Sequence, residues 1–279
     1  MRLIRCNTLK LETFNNDDQV PPFAILSHCW GTVEITFADI MNEPDRPDPE
    51  SDIGPTDKWE KVWMAAKTAK EVYNLEYIWV DTCCIDKSSS AELTEAINSM
   101  WNWYWHADVC IAFLSDVIGM PKLEDVFSFI SRWFTRGWTL QELIAPARLD
   151  FFDMTWTKIG DRASVSLLWS DEVCNIDRRV LADGGRHRLN EFSAATRLSW
   201  ASKRATTRGE DRAYSLLGIF GVNMTTLYGE GYERAFLRLQ NKIFKQSADQ
   251  SIFAWQFPSG PAGLGRRRIL LGSAKFMEI

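Results

Sequence analysis

Residues 77–87 read YIWVDTCCIDK, a short apolar run that turns abruptly polar. Residues 23–31, FAILSHCWG, and residues 109–116, VCIAFLSD, repeat the same pattern. Apolar runs of this length are typical of strands that are buried on both faces of a parallel sheet. We therefore predict parallel strands near residues 23–28, 77–82 and 109–114, with a fourth strand near residues 149–154.

Amphipathic stretches lie between these apolar runs. Between the first two strands, apolar residues recur at helical spacing, at positions 59, 62, 63, 66, 69 and 73. Ser89 to Glu92 has the pattern of a capping box that opens the next helix, and a further helix is predicted near 124–134. This alternation predicts an α/β fold, in which right-handed crossovers place helices on both faces of a parallel sheet.

The second half of the chain has mainly helical patterns. We predict helices near residues 161–174, 190–203, 210–220 and 230–246, and we predict that Ser251 to Trp255 adds a strand. Residues 1–279 are expected to form a single domain. Its parts are an α/β part at 1–156, a mainly helical extension at 157–257 and an exit segment at 258–279.

Composition excludes several classes of function. A net charge of -5 argues against a nucleic-acid surface, which needs a basic stripe. No segment approaches the roughly 20 apolar residues of a membrane helix, and the N-terminus lacks the features of a secretory signal. We therefore predict a cytoplasmic protein without a membrane span. Because the chain has no CxxC and no HExxH, we predict no metal. It also has no G-x-G-x-x-G motif and no Walker loop, so we predict no resident cofactor.

Residues 134–146, FTRGWTLQELIAP, contain the first candidate site. Trp138 and Glu142 lie four positions apart, at i and i+4, so a helix places them on one face. Such a pair offers a flat apolar wall beside a carboxylate, which can hold a planar ring and stabilise a cation that forms next to it. Arg136 lies just upstream, where it can hold a phosphate. The alternative is a buried tryptophan and a structural glutamate that is bonded to Arg136.

Polar residues that follow the predicted strands form the second half of the candidate site. Ser27, His28 and Asp81 fall at strand ends, and ligands of open α/β sheets bind beyond the carboxyl ends of the strands. His28 either binds a ligand, acts as a base or bonds locally to backbone. Asp81 either orients a ribose hydroxyl or caps the loop that follows. We predict that these side chains share one cleft with Arg136 and a partly exposed Glu142.

Three of these stretches resemble the fungal heterokaryon-incompatibility (HET) domain. The resemblance rests on LSHCWG (residues 26–31), WVDTCCIDK (79–87) and RGWTLQELIAP (136–146). A fourth block, TTRGEDRAYSLLGIFGVNMTTLYGEG (206–231), and SIFAW (251–255) also look like that family. The resemblance therefore runs from about residue 20 to residue 257.

The HET family is similar in architecture to Toll/interleukin-receptor (TIR) domains, and WTLQEL resembles the stretch that carries the catalytic glutamate of NAD-cleaving TIR enzymes. This second resemblance implies an NAD hydrolase (NAD+ nucleosidase) with Glu142 as its catalytic carboxylate. NAD or a related nucleotide is then the substrate. The residues assigned to substrate binding are Ser27, His28, Trp30, Asp81, Arg136 and Trp138.

The family resemblance implies a role in heterokaryon incompatibility, programmed cell death and fungal innate immunity. Two mechanisms fit this role. The domain is either an enzyme or a signalling module without chemistry, which triggers cell death by self-association or by recruiting a partner. Sensor modules in cis or in trans are expected in both cases, with self-association on activation. Cavity shape distinguishes the two mechanisms, because only the enzyme needs the polar residues to line one pocket.

Overall fold

A seven-stranded sheet forms the centre of the computed structural model, which describes residues 1–42, 47, 57–119, 130–164, 176–182 and 185–253. Its strands are β1 (Arg2–Arg5), β2 (Lys10–Thr13), β3 (Ala24–His28), β4 (Tyr77–Trp79), β5 (Val109–Phe113), β6 (Leu149–Phe152) and β7 (Lys158–Asp161). The strand order is β2-β1-β4-β3-β5-β6-β7. The four central strands, β4, β3, β5 and β6, are parallel, whereas β1, β2 and β7 pair antiparallel at the two edges.

The central strands confirm the predicted α/β fold. Every residue of β3, β5 and β6 is buried, as expected for strands that are covered on both faces. The predicted sheet lacked β1, β2 and β7, because these short antiparallel strands carry exposed polar residues and have no continuous apolar run. β7 also extends the sheet beyond residue 156, the predicted end of the α/β part.

Five helices accompany the sheet in the described residues of the first half. They are α1 (Phe37–Asn42), α2 (Asp57–Tyr73), α3 (Asp81–Cys84), α4 (Ser90–His106) and α5 (Thr139–Ile144). Five of the six apolar positions predicted for α2 are buried. Ser89 caps α4 by accepting a hydrogen bond from the backbone N–H of Glu92. The Glu92 carboxylate binds Arg2 and the backbone N–H of Asp86, so only one half of the predicted capping box is formed.

β4 is shorter than predicted. It ends at Trp79, and the chain turns at once into α3, where the Val80 carbonyl accepts from the backbone N–H groups of Cys83 and Cys84. Cys83 and Cys84 are therefore buried in a helical turn and do not alternate along a strand. The early turn brings Asp81 back over the carboxyl edge of the sheet. A predicted helix near 124–134 lies mostly outside the described residues, and residues 132–135 form a 3-10 turn.

The second half is mainly helical, as predicted. Its described helices are α6 (Arg178–Leu181), α7 (Ala194–Ser199), α8 (Asp211–Tyr214), α9 (Leu217–Phe220) and α10 (Tyr232–Gln246). The predicted helix at 210–220 is thus two short helices. The predicted strand at 251–255 is wrong, because Gln250–Phe253 form a 3-10 turn. The helix predicted at 161–174 and the exit segment at 258–279 fall largely or wholly outside the described residues.

Backbone hydrogen bonds join the second half to the segment that leads into α5. The Gly137 N–H donates to the Ala205 carbonyl at 2.8 Å, and the Ala205 N–H donates to the Thr135 carbonyl at 2.7 Å. A Cβ atom at Gly137 would lie 2.4 Å from the Thr206 methyl group. Gly137 is therefore required for this close approach of the two chain segments.

Candidate functional site

The carboxyl ends of the central strands carry most of the predicted site. Ser27 and His28 are the last two residues of β3, and Asp81 is the first residue of α3. Glu142 lies in the first turn of α5, which begins at Thr139. Because parallel strands end at the same edge of the sheet, these residues come together although they are distant in sequence.

Ser27 and Glu142 are in direct contact. The Ser27 hydroxyl donates to Glu142 Oε2 at 2.5 Å, and the Trp133 indole N–H donates to Ser27 Oγ at 2.7 Å. The Tyr104 hydroxyl donates to the Leu26 carbonyl at 3.1 Å and lies beside the Glu142 carboxyl. We call Ser27, Tyr104, Trp133 and Glu142 the inner cluster, and all four of its side chains are buried.

Glu142 is only 8% exposed, and every residue of α5 is buried. The expectation of a partly exposed carboxylate is therefore wrong, because α5 is packed into the core and does not line an open rim. Burial raises the pKa of Glu142 to about 8, with a smaller rise from the charge of Asp81, while hydrogen bonds from Ser27 and Tyr104 oppose it. At neutral pH, Glu142 is mainly a protonated carboxylic acid.

A second group of charged side chains surrounds His28. Its Nε2 lies 3.6 Å from Glu34 Oε2 and its Nδ1 lies 4.0 Å from Asp81 Oδ1. The His28 side chain is 1% exposed, and neither ring nitrogen has a hydrogen-bond partner within the described part of the chain. The structure therefore does not support the alternative in which His28 bonds locally to backbone.

Glu34 is ionised, in contrast to Glu142. Burial acts to raise the pKa of Glu34, but contacts with His28 and Lys61 and the Gly31 N–H outweigh it and lower that pKa to about 2. Glu34 forms an ion pair with Lys61 and accepts from the Gly31 N–H at 2.6 Å. A carboxylate with a cation and a backbone donor stays charged despite its burial.

Trp30 forms the exposed rim of this group and is 51% exposed. Its indole N–H donates to Asp81 Oδ2 at 3.0 Å. The Lys87 ammonium lies 3.8 Å from the centre of the Trp30 ring and 3.6 Å from Asp81 Oδ2. Asp81 thus binds an indole and an ammonium at the rim. We call the whole group the outer cluster, and it comprises His28, Trp30, Glu34, Lys61, Asp81 and Lys87.

Arg136 and Trp138 contact the second half of the chain. Arg136 Nη2 donates to Thr207 Oγ1 at 3.1 Å, and the Trp138 side chain hydrogen-bonds Asp211. The partners of Glu142 are in the inner cluster, which argues against the alternative of a glutamate bonded to Arg136. Five of the seven predicted site residues therefore lie in the two clusters. The other two, Arg136 and Trp138, bind elsewhere.

A separate cleft of about 340 Å³, its open mouth included, lies beside Gly137. Apolar, hydroxyl and cationic side chains of the second half line it, namely Leu198, Ala201, Arg204, Thr206, Arg212, Ser215, Leu216, Tyr232 and Phe236. The predicted site residues are not among its lining, so this cleft is not the predicted pocket.

Four aromatic and acidic residues of the fourth motif block brace the second half. The Tyr214 hydroxyl donates to Glu230 Oε1 at 2.9 Å and accepts from the Leu227 N–H at 2.8 Å. The Tyr228 hydroxyl donates to Asp211 Oδ1 at 2.8 Å. Because Asp211 also binds Trp138, this hydrogen-bonded group supports the segment that leads into α5.

Sequence reasoning missed five residues of the two clusters, namely Glu34, Lys61, Lys87, Tyr104 and Trp133. Trp133 stands immediately before the quoted motif at 134–146, yet its indole binds Ser27 in the core. Tyr104 lies in the helix that was predicted to open at Ser89 to Glu92, and no motif marks Glu34 or Lys61. Lys87 ends the motif at 79–87 but was given no role. A buried indole next to a motif is a weak signal, since tryptophan is frequent in this chain.

In the parts of the chain that the structure describes, no helix is long and apolar enough to cross a membrane. The same residues contain no group of three or more His, Cys, Asp or Glu side chains that could hold a metal ion.

The fold and the two clusters define a class, namely α/β domains with a parallel centre and polar residues collected at its carboxyl edge. Residues 23–121 match the family described as "Heterokaryon incompatibility protein (HET)", and residues 234–263 match "Domain of unknown function (DUF8212)". The chain therefore carries a HET domain sequence, and the predicted resemblance to that family is confirmed. The HET match includes β3, β4 and β5. It also includes both clusters, except for Trp133 and Glu142.

A named relative supports the same assignment. The chain is 42% identical over 236 residues to "Vegetative incompatibility protein HET-E-1" of Podospora anserina. The aligned region covers 81% of this chain but only 16% of that protein, so the chain spans a small part of the relative's length. No solved structure matches the chain. The likeness to TIR domains remains a prediction.

Proposed function

We propose that this chain is an effector domain of fungal heterokaryon incompatibility, which triggers cell death as part of innate immunity in the cytoplasm. The HET match and the named incompatibility protein support this role. The relative is far longer than the aligned region, which fits a domain that is controlled by sensor modules in the same chain or in a partner.

We further propose that the domain acts by cleaving NAD between nicotinamide and ribose. The bond breaks with its electron pair going to nicotinamide, water then attacks the ribose carbon, and the products are nicotinamide, ADP-ribose and a proton. The ribose carries positive charge in the transition state, so a nearby carboxylate lowers the barrier electrostatically. The contact of Glu142 with Ser27, at the edge that also holds His28 and Asp81, is the observation that carries this proposal.

The other residues have roles that follow from their chemistry. Asp81 and His28 bind ribose hydroxyls, and Ser27 orients the Glu142 carboxyl. Trp30 and Trp138 stack on rings, and Arg136 binds a phosphate after it releases Thr207. Because Arg136 and Trp138 bind the second half in this arrangement, substrate binding requires that the segment before α5 rearranges.

The described arrangement corresponds to a resting state. Glu142 is buried and protonated, whereas stabilisation of a ribose cation requires an ionised carboxylate within reach of the substrate. Activation must therefore open the carboxyl edge and ionise Glu142. We propose that self-association, driven by the sensor modules, supplies the free energy for this change.

A signalling module without chemistry is the second candidate. The closed inner cluster favours it, because the seven predicted residues do not line one open pocket in this state. In that case Ser27, Tyr104 and Trp133 serve only to pack α5 against β3. Cell death then depends on a surface that recruits a partner.

One experiment separates the two candidates. The purified chain is incubated with NAD at high concentration or with the domain forced to cluster, and nicotinamide release is followed. We expect Glu142→Ala and Glu142→Gln to lower the rate on the order of 10²-fold or more. Glu191→Gln, at an exposed site in the second half, is the matched control. Nicotinamide release at the wild-type rate by a folded Glu142→Ala variant would exclude Glu142 as the catalytic carboxylate, whereas no release by the wild-type protein under either condition would exclude the enzyme.

Cell death provides a second measurement. A folded Glu142→Ala variant that still kills fungal cells at the wild-type level would favour the signalling module. Loss of both nicotinamide release and killing in Glu142→Gln, with both retained in Glu191→Gln, would favour the enzyme.

A further inference from the structure

The cleft beside Gly137 has a cationic and hydroxyl-rich lining. Two arginines and three hydroxyl residues contribute to it, namely Arg204, Arg212, Thr206, Ser215 and Tyr232. None of the described residues that line the cleft carries a carboxylate. The chain as a whole has a net charge of -5, so this concentration of positive charge is local. A concave site with two guanidinium groups and several hydroxyl donors favours an anionic ligand.

Contacts within the domain hold both guanidinium groups in place. Arg204 is 5% exposed, and its Nη1 donates to the Arg136 carbonyl at 2.9 Å and to Thr139 Oγ1 at 2.8 Å. The Arg212 guanidinium lies 4.7 Å from the centre of the Tyr232 ring. Side chains that are already ordered lose little conformational entropy when they bind a ligand, so the cleft is preorganised for an anion.

The shape of the cleft favours a phosphate group that carries a small ring. The volume of about 340 Å³ includes the open mouth, so the enclosed part suits one phosphate group rather than a whole dinucleotide. Guanidinium groups bind phosphate oxygens bidentately, and hydroxyl groups add further donors. Tyr232 and Phe236, whose ring centroids are 5.5 Å apart, form an aromatic wall against which the ring of a ligand can pack.

Two chain segments form the cleft, and backbone hydrogen bonds join them. Gly137 lies before α5, whereas the other lining residues belong to the second half. The Gly137 N–H donates to the Ala205 carbonyl, and the Ala205 N–H donates to the Thr135 carbonyl. A ligand that binds the cleft therefore stabilises this backbone pairing, because the cleft exists only while the two segments are together.

We propose that this cleft binds a small organic phosphate monoester, and that the bound phosphate holds the segment before α5 in its resting arrangement. Arg204 connects the two, since it lines the cleft and donates to the backbone and side chain of that segment. The ligand then opposes the rearrangement of Arg136 and Trp138 that substrate binding requires. This inhibitory consequence rests on the proposed NAD cleavage, whereas the binding site does not.

Isothermal titration calorimetry with phenyl phosphate tests the site, and inorganic phosphate and phenol serve as further probes. We expect phenyl phosphate to bind saturably and about 5-fold more tightly than inorganic phosphate, because only the ester reaches the aromatic wall. Phenol lacks the anion and should show no saturable binding. Equal affinities for the two phosphates would overturn the organic ligand, and saturable binding of neither would overturn the site.

Arg212→Gln is the decisive variant, because Arg204 also supports the backbone before α5. We expect it to weaken phenyl phosphate binding about 10-fold or more, since a charge-assisted hydrogen bond is lost. Arg188→Gln is the matched control, because Arg188 is an exposed arginine of the second half near Glu191, and it should retain the wild-type affinity. Equal affinities of the two variants would overturn the site.

Thermal unfolding in the absence of ligand shows which variants are folded. If Arg212→Gln does not fold, Tyr232→Phe decides, because it removes one hydroxyl of the cleft and keeps the ring. We expect this variant to bind phenyl phosphate about 3- to 10-fold more weakly. An unchanged affinity of folded Tyr232→Phe would then overturn the site.

Hydrogen exchange tests the link to the segment before α5. The N–H groups of Gly137 and Ala205 exchange when their pairing opens, so phenyl phosphate at ten times its Kd should slow their exchange about 10-fold. The Phe14 N–H, which donates to the Met1 carbonyl at the far edge of the sheet, should exchange at an unchanged rate. Saturable binding without slower exchange at Gly137 and Ala205 would overturn the regulatory role.

Activity distinguishes this inference from the proposed function. If the wild-type protein releases nicotinamide, phenyl phosphate should raise the apparent KM for NAD, since the two ligands bind opposite arrangements. Arg212→Gln should need about 10-fold more phenyl phosphate for the same inhibition, and equal inhibition would place the phosphate at the substrate site and overturn the regulatory role. If the wild-type protein releases none under any condition, the proposed function fails, while calorimetry and hydrogen exchange still decide the cleft.

Discussion

The inner and outer clusters each contain one glutamate beside the same edge of the sheet, and the two glutamates have opposite charge states. Glu142 is buried beside the Ser27 hydroxyl, and its pKa rises to about 8. Glu34 has an ammonium and a backbone N–H within contact distance, and its pKa falls to about 2. Burial acts in the same direction on both, so the partners determine the charge. The comparison shows that one edge of the sheet holds a protonated carboxylic acid and an ionised carboxylate near each other.

Removing the aromatic ring from each cluster should produce the largest difference between them. Trp133 is 1% exposed and packs edge-on against Phe134 and Phe151, whereas Trp30 is 51% exposed. We expect Trp133→Ala to lower the free energy of unfolding by about 3–5 kcal/mol. Trp30→Ala should lower it by less than about 1 kcal/mol. Urea denaturation measures both, and similar losses would show that the inner cluster is not the packed one.

The two glutamates should change the free energy of unfolding in opposite pH ranges, Glu142 on the alkaline side and Glu34 on the acid side. Glu142 has a folded pKa near 8 and an ordinary value of 4.5, so unfolding releases a proton between these pH values. Stability due to Glu142 is therefore greatest below pH 4.5 and is lost as the pH rises towards 8. The total loss is on the order of 3–5 kcal/mol at 1.36 kcal/mol per pH unit. Glu142→Gln should abolish this loss.

Glu34 has the opposite sign. Its folded pKa of about 2 lies below the ordinary 4.5, so its contribution is present above pH 4.5 and is lost as the pH falls towards 2. Glu34→Gln should remove roughly 2 kcal/mol of this acid-side dependence, because solvent screens part of the interaction. Urea unfolding midpoints between pH 3 and pH 9 measure both the loss on the alkaline side, due to Glu142, and the loss on the acid side, due to Glu34. Identical profiles for the two variants would contradict the assigned charge states.

Lys61→Met should weaken the outer cluster by a smaller amount. The substitution keeps an apolar stem but removes the ammonium that pairs with Glu34. We expect a loss of about 1–2 kcal/mol at pH 7, since a partly buried carboxylate loses its main cation. The loss should vanish in the Glu34→Gln background, and a double-mutant cycle measures this coupling. Additive losses would show that the two side chains act independently.

Lys87→Gln should have the smallest effect. Lys87 lies over the exposed Trp30 ring and near Asp81, where a cation–π contact and an exposed ion pair each contribute about 0.5–1 kcal/mol. Trp30 fluorescence is hidden among thirteen tryptophans, so thermal unfolding at low and high salt is the suitable measurement. A loss above about 2 kcal/mol would place Lys87 among the structural residues of the fold.

Sequence patterns predicted the parts of the molecule that depend on continuous burial. The apolar runs at β3, β4, β5 and β6 gave the parallel centre, because a strand that is covered on both faces needs such a run. The short antiparallel strands β1, β2 and β7 carry no such pattern. The switch from β4 into α3 was also missed, because a helical turn of four residues cannot be distinguished from a continuing strand by periodicity.

The candidate site was predictable only where a residue follows a strand or lies within a motif. Ser27, His28 and Asp81 follow strands, and Glu142 lies within a motif. The burial of Glu142 could not be inferred, since it depends on how loops from both halves cover α5. The binding of Arg136 to Thr207 depends on the backbone pairing of residues 135–137 with residue 205, a contact that no local pattern encodes.

That pairing also bears on the order in which the protein is made. The ribosome adds residues from the N-terminus at about 5–20 per second, so Ala205 follows Gly137 by roughly 3–14 seconds. Until then the Gly137 N–H lacks the carbonyl that it binds in the finished fold, and the turn into α5 lacks its support. A nascent chain therefore presents Glu142 without its final surroundings, and the complete edge is assembled only when translation has passed the second half of the domain.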